Sequence, residues 1–120
     1  MSGRRFLLDT NVVIGLAQGP GAARDLLDAS GAVPSTSAIS QIARIELFSF
    51  PLLTAAEEVR LRQFIIPFDV LMLNEAIEQA TIEFRRSKRL KLPDAIIAAT
   101  AKVHGLTLLT LDERLRAATA

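Results

Sequence analysis

The sequence has no cysteine, tryptophan or tyrosine, and only one histidine, His104. Without cysteine there is no disulfide, no thiol nucleophile and no zinc ribbon, and one imidazole cannot build a histidine metal cluster. Any metal must therefore be held by oxygen. Phenylalanine supplies all the aromatic rings, which disfavours a single-strand nucleic-acid binder built mainly on stacking platforms. An excess of one charge is also missing. With 14 Lys and Arg against 13 Asp and Glu the net charge is +1, so bulk charge does not draw the chain onto nucleic acid and any basic surface is local. No apolar run reaches the roughly 18 residues of a spanning helix, and the N-terminus lacks the long apolar segment of a signal peptide. The expectation is a cytoplasmic protein with no membrane role.

What is present is a strongly apolar chain of 120 residues, half of them hydrophobic, with a mean hydropathy of +0.33. This length suits one domain, 1–120, that buries about two thirds of its unfolded surface. Such composition implies either a sheet covered on both faces or apolar surface kept for a partner. Phe6-Leu7-Leu8 reads as a buried first strand, and Thr10 to Gln18 as a helix stopped by Gly19-Pro20-Gly21. A helix over 22–29 follows, then a weak second strand at Ala32-Val33-Pro34. Ser37 reads as the cap of a helix reaching Phe50, whose apolar face Ile39, Ile42, Ala43 and Phe50 is interrupted by Glu46. Further helices are expected over 54–64, from the Asn74 cap to Arg89, from Pro93 to His104-Gly105, and over 113–118. Strands are expected over 65–71 and 106–109. Strands alternating with helices predict an α/β fold: a three-layer α/β/α sandwich on a central parallel sheet of four strands, with a fifth left open.

Four carboxylates stand apart from ordinary surface charges. Asp9 and Asp112 follow strands, Asp94 opens the small apolar helix, and Glu46 breaks an apolar face. In an open parallel sheet the strand ends share one edge, so the chain is compatible with a single acidic cluster there. Each residue also has a plain structural reading. Asp9 and Asp112 suit helix caps, Asp94 suits the first turn beside the helix dipole, and Glu46 suits pairing with a cation such as Arg44. If the four converge, like charges about 4 Å apart repel by around 4 kcal/mol at an effective dielectric of 20. A divalent cation removes that cost. All-oxygen ligation suits Mg²⁺ or Mn²⁺, for which phosphodiester hydrolysis is the natural chemistry.

Phe6-Leu7-Leu8-Asp9-Thr10-Asn11-Val12-Val13-Ile14, Ile45-Glu46-Leu47, Leu92-Pro93-Asp94-Ala95-Ile96-Ile97-Ala98-Ala99 and Leu108-Leu109-Thr110-Leu111-Asp112 together resemble a PIN domain. Within that family they most resemble the VapC ribonuclease toxins of bacterial toxin–antitoxin pairs. The resemblance spans almost the whole chain. It implies metal-dependent RNA cleavage, a homodimer, and inhibition by a VapB-type antitoxin. By matching position it implies that Asp9 and Asp94 are the principal Mg²⁺ (or Mn²⁺) ligands, that Glu46 and Asp112 complete the acidic site, and that Asn11 and Thr110 support it. Two departures stand out. Only eight residues follow Asp112, where the family commonly adds an edge strand, and Leu111 replaces a basic or polar residue.

Arg85, Arg86, Lys88, Arg89 and Lys91 form a basic run that suits a helix C-terminus, and that also leads into Asp94, where it would guide an RNA backbone. Dimer or antitoxin contacts are expected near Leu47 to Leu53, and His104 is expected to be a helix-end residue and not a base. A phosphatase of the haloacid-dehalogenase type also begins with a strand ending in Asp, but it needs a second Asp where Asn11 stands. A PIN domain without activity, serving as an RNA-binding or protein-interaction module, would not need all four acids.

Overall fold

The computed structural model describes residues 3–120, in which a four-stranded parallel sheet is flanked by seven α-helices. In chain order these are β1 (Phe6–Leu8), α1 (Thr10–Ala17), α2 (Ala22–Ser30), β2 (Ser37–Ser40), α3 (Gln41–Leu47) and α4 (Ala55–Ile65). Then follow β3 (Asp69–Leu71), α5 (Glu75–Lys88), α6 (Leu92–His104), β4 (Thr107–Leu109) and α7 (Glu113–Thr119). The sheet order is β3-β2-β1-β4. Phe6 pairs with Ser37 on one side and Thr107 on the other, and Leu8 pairs with Leu109. The strand order therefore reverses direction at β1, which puts the switch point of the sheet between β1 and β4. In open α/β sheets ligands bind in the crevice at that point, outside the carboxyl ends of the strands.

The second strand differs from the one expected. Pro34 lacks an N–H and starts a short 3₁₀ turn over Pro34–Thr36, and Val33 is half exposed, so Ala32-Val33-Pro34 does not join the sheet. The strand is instead Ser37-Ala38-Ile39-Ser40, buried throughout and sandwiched between β1 and β3. Its serines hide it from a hydropathy reading, yet both are satisfied locally. The Ser37 hydroxyl donates to the Val33 carbonyl (2.7 Å), and Ser40 Oγ accepts the Ala43 N–H (3.1 Å), so Ser40, not Ser37, caps α3. Ile39 thus lies in the sheet and Phe50 beyond the helix end, which shortens the expected helix at both ends. The third strand is likewise shorter than expected, because α4 continues through Ile65.

The main core joins β1 and β2 to α1, α2 and α3, with Ile97 and Ala101 of α6 closing it. Helix α6 is as buried as its small residues predict: Ala95, Ile97, Ala98, Ala99, Thr100 and Ala101 are all inaccessible. It packs on α5 through Ile77, Ala80 and Ala99, so Asp94, at its start, is carried by a rigid element. Helices α1 and α2 approach so closely that a Cβ on Gly15 would lie 2.7 Å from the Cβ of Ala23. Only glycine allows that approach, and it fixes the direction of the helix that Asp9 caps. His104 sits, exposed, at the end of α6 before Gly105, whose φ of 65° only glycine adopts freely.

Among the described residues no fifth strand follows α7. Beside β4 lies a trough of about 780 Å³ that runs past Leu108 and Thr110 to Ala120. Arg116 reaches back there and donates to the Thr110 carbonyl (3.1 Å).

Candidate functional site

Asp9 ends β1 and is buried, 5% exposed. Its two oxygens go opposite ways. Oδ1 accepts the Thr10 N–H (2.7 Å) at the start of α1, and Oδ2 accepts the Thr110 hydroxyl (2.7 Å) from beyond β4. The cap reading of Asp9 is thus correct and accounts for half of the carboxylate. The Thr110 hydroxyl is saturated: besides donating to Asp9 it accepts the Asp112 N–H (3.0 Å) and the Asn11 amide (3.5 Å). Asn11 Oδ1 in turn accepts the Leu111 N–H (3.1 Å). Asn11 and Thr110 therefore stitch the ends of the two strands together across the switch point.

The other acids approach from three helices. Asp112 caps α7, its Oδ1 accepting the N–H groups of Arg114 and Leu115 (2.9 and 3.2 Å). Glu46, half-buried on α3, accepts the Thr10 hydroxyl on Oε1 (2.7 Å). The expected partner Arg44 instead lies beside the sulfur of Met72 (3.8 Å), and among the described residues Glu46 has no ion pair. Asp94 lies in the first turn of α6, half-buried, and among the described residues no donor reaches its carboxylate.

These placements load the site with like charge. Burial pushes the Asp9 carboxyl above the ordinary carboxylate range, against the pull of its two hydrogen bonds, and Glu46 and Asp112 push it further. Burial raises Asp94 as well, and Asp9 and Asp112 add to that, while Lys91 and Arg114 oppose it. The four carboxylates thus share one electrostatic neighbourhood, although no three of them close around a single point among the described residues. The donors are hard oxygens, which suit Mg²⁺ or Mn²⁺, and Mg²⁺ keeps several waters and needs few protein ligands.

A model of the PIN domain matches residues 6–120. The chain belongs to the PIN domain family. It is similar to a toxin–antitoxin complex from Klebsiella pneumoniae at 35% identity, with a TM-score of 0.76 over 88% of this chain and 85% of that one. It is also similar to FitAcB from Neisseria gonorrhoeae at 27% identity, with a TM-score of 0.77 over 95% of this chain and 92% of that one. VapBC2 from Rickettsia felis, bound to a DNA fragment from its promoter, shares the fold at 19% identity, with a TM-score of 0.71 over 89% and 86% of the two chains. No curated protein matches the chain.

In this PIN domain the basic run is less concentrated on the acids than the sequence suggests. Lys91, which precedes α6, acts on Asp94, whereas Arg85 and Arg86 lie exposed on the last turn of α5 and Lys88 lines the trough beside β4. Arg89 takes a left-handed backbone (φ 54°) that ends α5, and its carbonyl accepts a guanidinium N–H of Arg114 (3.3 Å). Two residues of this neighbourhood escape a reading of the sequence. Thr10 is hidden because a threonine beside a capping aspartate looks like ordinary helix-start chemistry. Arg114 is hidden because its cation acts across space on Asp94, which nothing in the spacing announces.

Proposed function

We propose that this PIN domain is a Mg²⁺- or Mn²⁺-dependent endoribonuclease that hydrolyses RNA phosphodiester bonds, and the toxin of a toxin–antitoxin pair. One observation carries the reading. Four carboxylates carried by the end of β1, α3, α6 and the start of α7 act on one another electrostatically: Glu46 and Asp112 raise the Asp9 carboxyl, Asp9 and Asp112 raise that of Asp94, and none of the four is in an ion pair among the described residues. Like charges gathered without ion pairs, with two carboxyls raised by burial and by each other, mark a candidate functional site. Asp9 and Asp94 would be the principal ligands, with Glu46 and Asp112 completing the site. When bound, the ion supplies Lewis-acid polarisation of the phosphodiester and acidifies an attacking water. The chain's own part is to hold the carboxylates. Thr110 and the Thr10 N–H fix both Asp9 oxygens, Asn11 keeps Thr110 in place, and Lys91 and Arg114 bring positive charge for phosphate close to Asp94.

Purified protein incubated with a cellular RNA pool is expected to cleave it with Mg²⁺ or Mn²⁺ and to stop on chelation. Cleavage that survives chelation overturns the mechanism, and no cleavage of any RNA favours the inactive module. The basic run would guide RNA by sequence-independent phosphate contacts. Arg86→Ala with Lys88→Ala is then expected to weaken RNA binding and to flatten the slope of log affinity against log salt by about one to two. An unchanged slope removes those residues from the RNA path.

Two apolar surfaces suit the expected protein partners. A groove of about 590 Å³ runs between α1 and α4 past Ile14, Leu47, Leu53 and Phe64, with Phe50 half exposed at its rim, and would take the antitoxin. Ile45, Met72, Leu73 and Leu92 are each about half exposed and would meet a second copy in the homodimer.

A further inference from the structure

Threonines inside helices usually return their hydroxyl proton to the carbonyl one turn back. Among the described residues three in α-helices do so: Thr81 to Ile77 (2.7 Å), Thr100 to Ile96 (2.7 Å) and Thr119 to Leu115 (3.1 Å). Thr10 does not. It is the first residue of α1, directly after the Asp9 cap, so no helical carbonyl lies one turn behind it and its hydroxyl is free to leave the helix. It crosses to α3, 36 residues away in sequence, and donates to Glu46 Oε1 at 2.7 Å. Its backbone N–H meanwhile donates to Asp9 Oδ1 at 2.7 Å. One residue thus holds two of the four acids, the first through its main chain and the second through its side chain. Its β-branched carbon restricts the rotamer and so the direction of the hydroxyl.

We propose that Thr10 is the positioning residue for Glu46: its hydroxyl fixes Oε1, sets the orientation of the carboxylate beside Asp9, and leaves Oε2 to face the cation. The bond does two physical jobs. It orders a glutamate side chain whose three torsions would otherwise cost entropy each time a ligand is bound. It also places a donor on one of the two carboxylates that repel each other, Glu46 and Asp9. Without the donor, Glu46 would swing away from Asp9 and the acidic site would lose one corner until a cation recruited it. Arg44 does not hold Glu46, so nothing else among the described residues replaces the threonine.

This inference rests on the metal-site reading, and the two are separated by measuring binding instead of turnover. The probe is Mn²⁺ alone, titrated into metal-free protein by calorimetry with electron paramagnetic resonance of the unbound ion as a second readout. Thr10→Val keeps the shape and removes the donor, and is expected to weaken Mn²⁺ binding about tenfold or more. Thr10→Ser keeps the donor and is expected to bind as the wild type does. In a Glu46→Gln background the effect of Thr10→Val is expected to vanish, because the threonine acts only through that carboxylate. Thr10→Ala replaces Thr10→Val in the cycle if the valine variant does not reach the wild-type circular dichroism spectrum. Thr10→Val binding within twofold of wild type, Thr10→Ser as weak as Thr10→Val, or an undiminished loss in the Glu46→Gln background each overturns the positioning role while leaving the metal site standing. Wild-type protein that binds no Mn²⁺ overturns both.

Discussion

Replacing Asp94 by Asn is expected to lower RNA cleavage by about 10³-fold or more while the metal-free protein melts higher than the wild type. The two halves of this result have the same cause. Asp94 is half-buried in the first turn of α6, among the described residues no donor reaches its carboxylate, and Asp9 and Asp112 repel it. Its negative charge therefore costs stability in the absence of a cation, and what is lost with the charge is its place beside the α6 dipole and the weaker attraction of Lys91 and Arg114. Asparagine keeps the size and planarity of the side chain and removes the repulsion. Most substitutions at partly buried positions destabilise, so a variant that gains stability while losing activity marks a group held for function. The measurement is a thermal melt in a chelating buffer beside an RNA cleavage assay with Mn²⁺. A variant that cleaves normally removes Asp94 from the site, and one that melts clearly lower makes the residue a structural cap.

The second large effect is the response of the wild type to the cation itself. Binding that favours the native state adds about 2.7 kcal/mol at a ligand concentration one hundred times Kd. For a chain of this size that corresponds to a rise in Tm of roughly 10 °C. The pH dependence gives the sign. Asp9 and Asp94 have folded pKa values raised above the ordinary 3.8, so between that value and the raised ones the native state binds more protons than the unfolded chain. Stability from these two groups therefore falls as pH rises through that window, and the penalty persists above it. Metal-free protein recovers that part of its stability on mild acidification, the reverse of ordinary acid lability. Glu57 runs the other way: the Thr54 N–H and hydroxyl hold its carboxyl below the usual range, so its contribution is present above 4.5 and fades as pH falls. Subtracting the melting curve of an Asp9→Asn, Asp94→Asn double variant cancels Glu57 and isolates the acidic site. The stabilisation by Mn²⁺ should shrink as pH falls toward the carboxylate range, where protons compete with the ion. A Tm that Mn²⁺ does not move at neutral pH contradicts the reading.

The parts of this molecule that the sequence discloses are those governed by local rules. Phe6-Leu7-Leu8, the Asn74 cap and the small-residue helix from Leu92 are found where periodicity and capping chemistry put them. Asn74 caps through a side-chain bond to the Ile77 N–H (2.9 Å), and Ile77, Ala80 and Thr81 are buried as their spacing requires. The central strand Ser37–Ser40 is invisible by the same rules, because burial of its serines depends on hydroxyl bonds and on flanking strands that come from elsewhere in the chain. The four acids could be singled out one by one, each with an equally ordinary explanation. In the fold three of those explanations hold as well: Asp9 and Asp112 are caps, and Asp94 lies in the first turn of α6. What the sequence could not supply is the bond that ties Asp9 to Thr110 across the two neighbouring strands, or the hydroxyl of Thr10, whose partner lies on another helix.

The contact between Asp9 and Thr110 joins residues 101 positions apart, and among the described residues β4 is the last strand to be made. At about 5–20 residues per second, Asp9 leaves the peptidyl transferase centre roughly 5–20 s before Thr110 is polymerised. Throughout that interval β1 lacks one neighbour, Asp9 lacks the hydroxyl on its second oxygen, and Asp112 does not yet exist. An unfinished chain therefore carries only part of the acidic constellation. The partners of Asp9 therefore come together only after β4 has been made, and a chain that stops short of Thr110 leaves one of its two carboxylate oxygens without a donor.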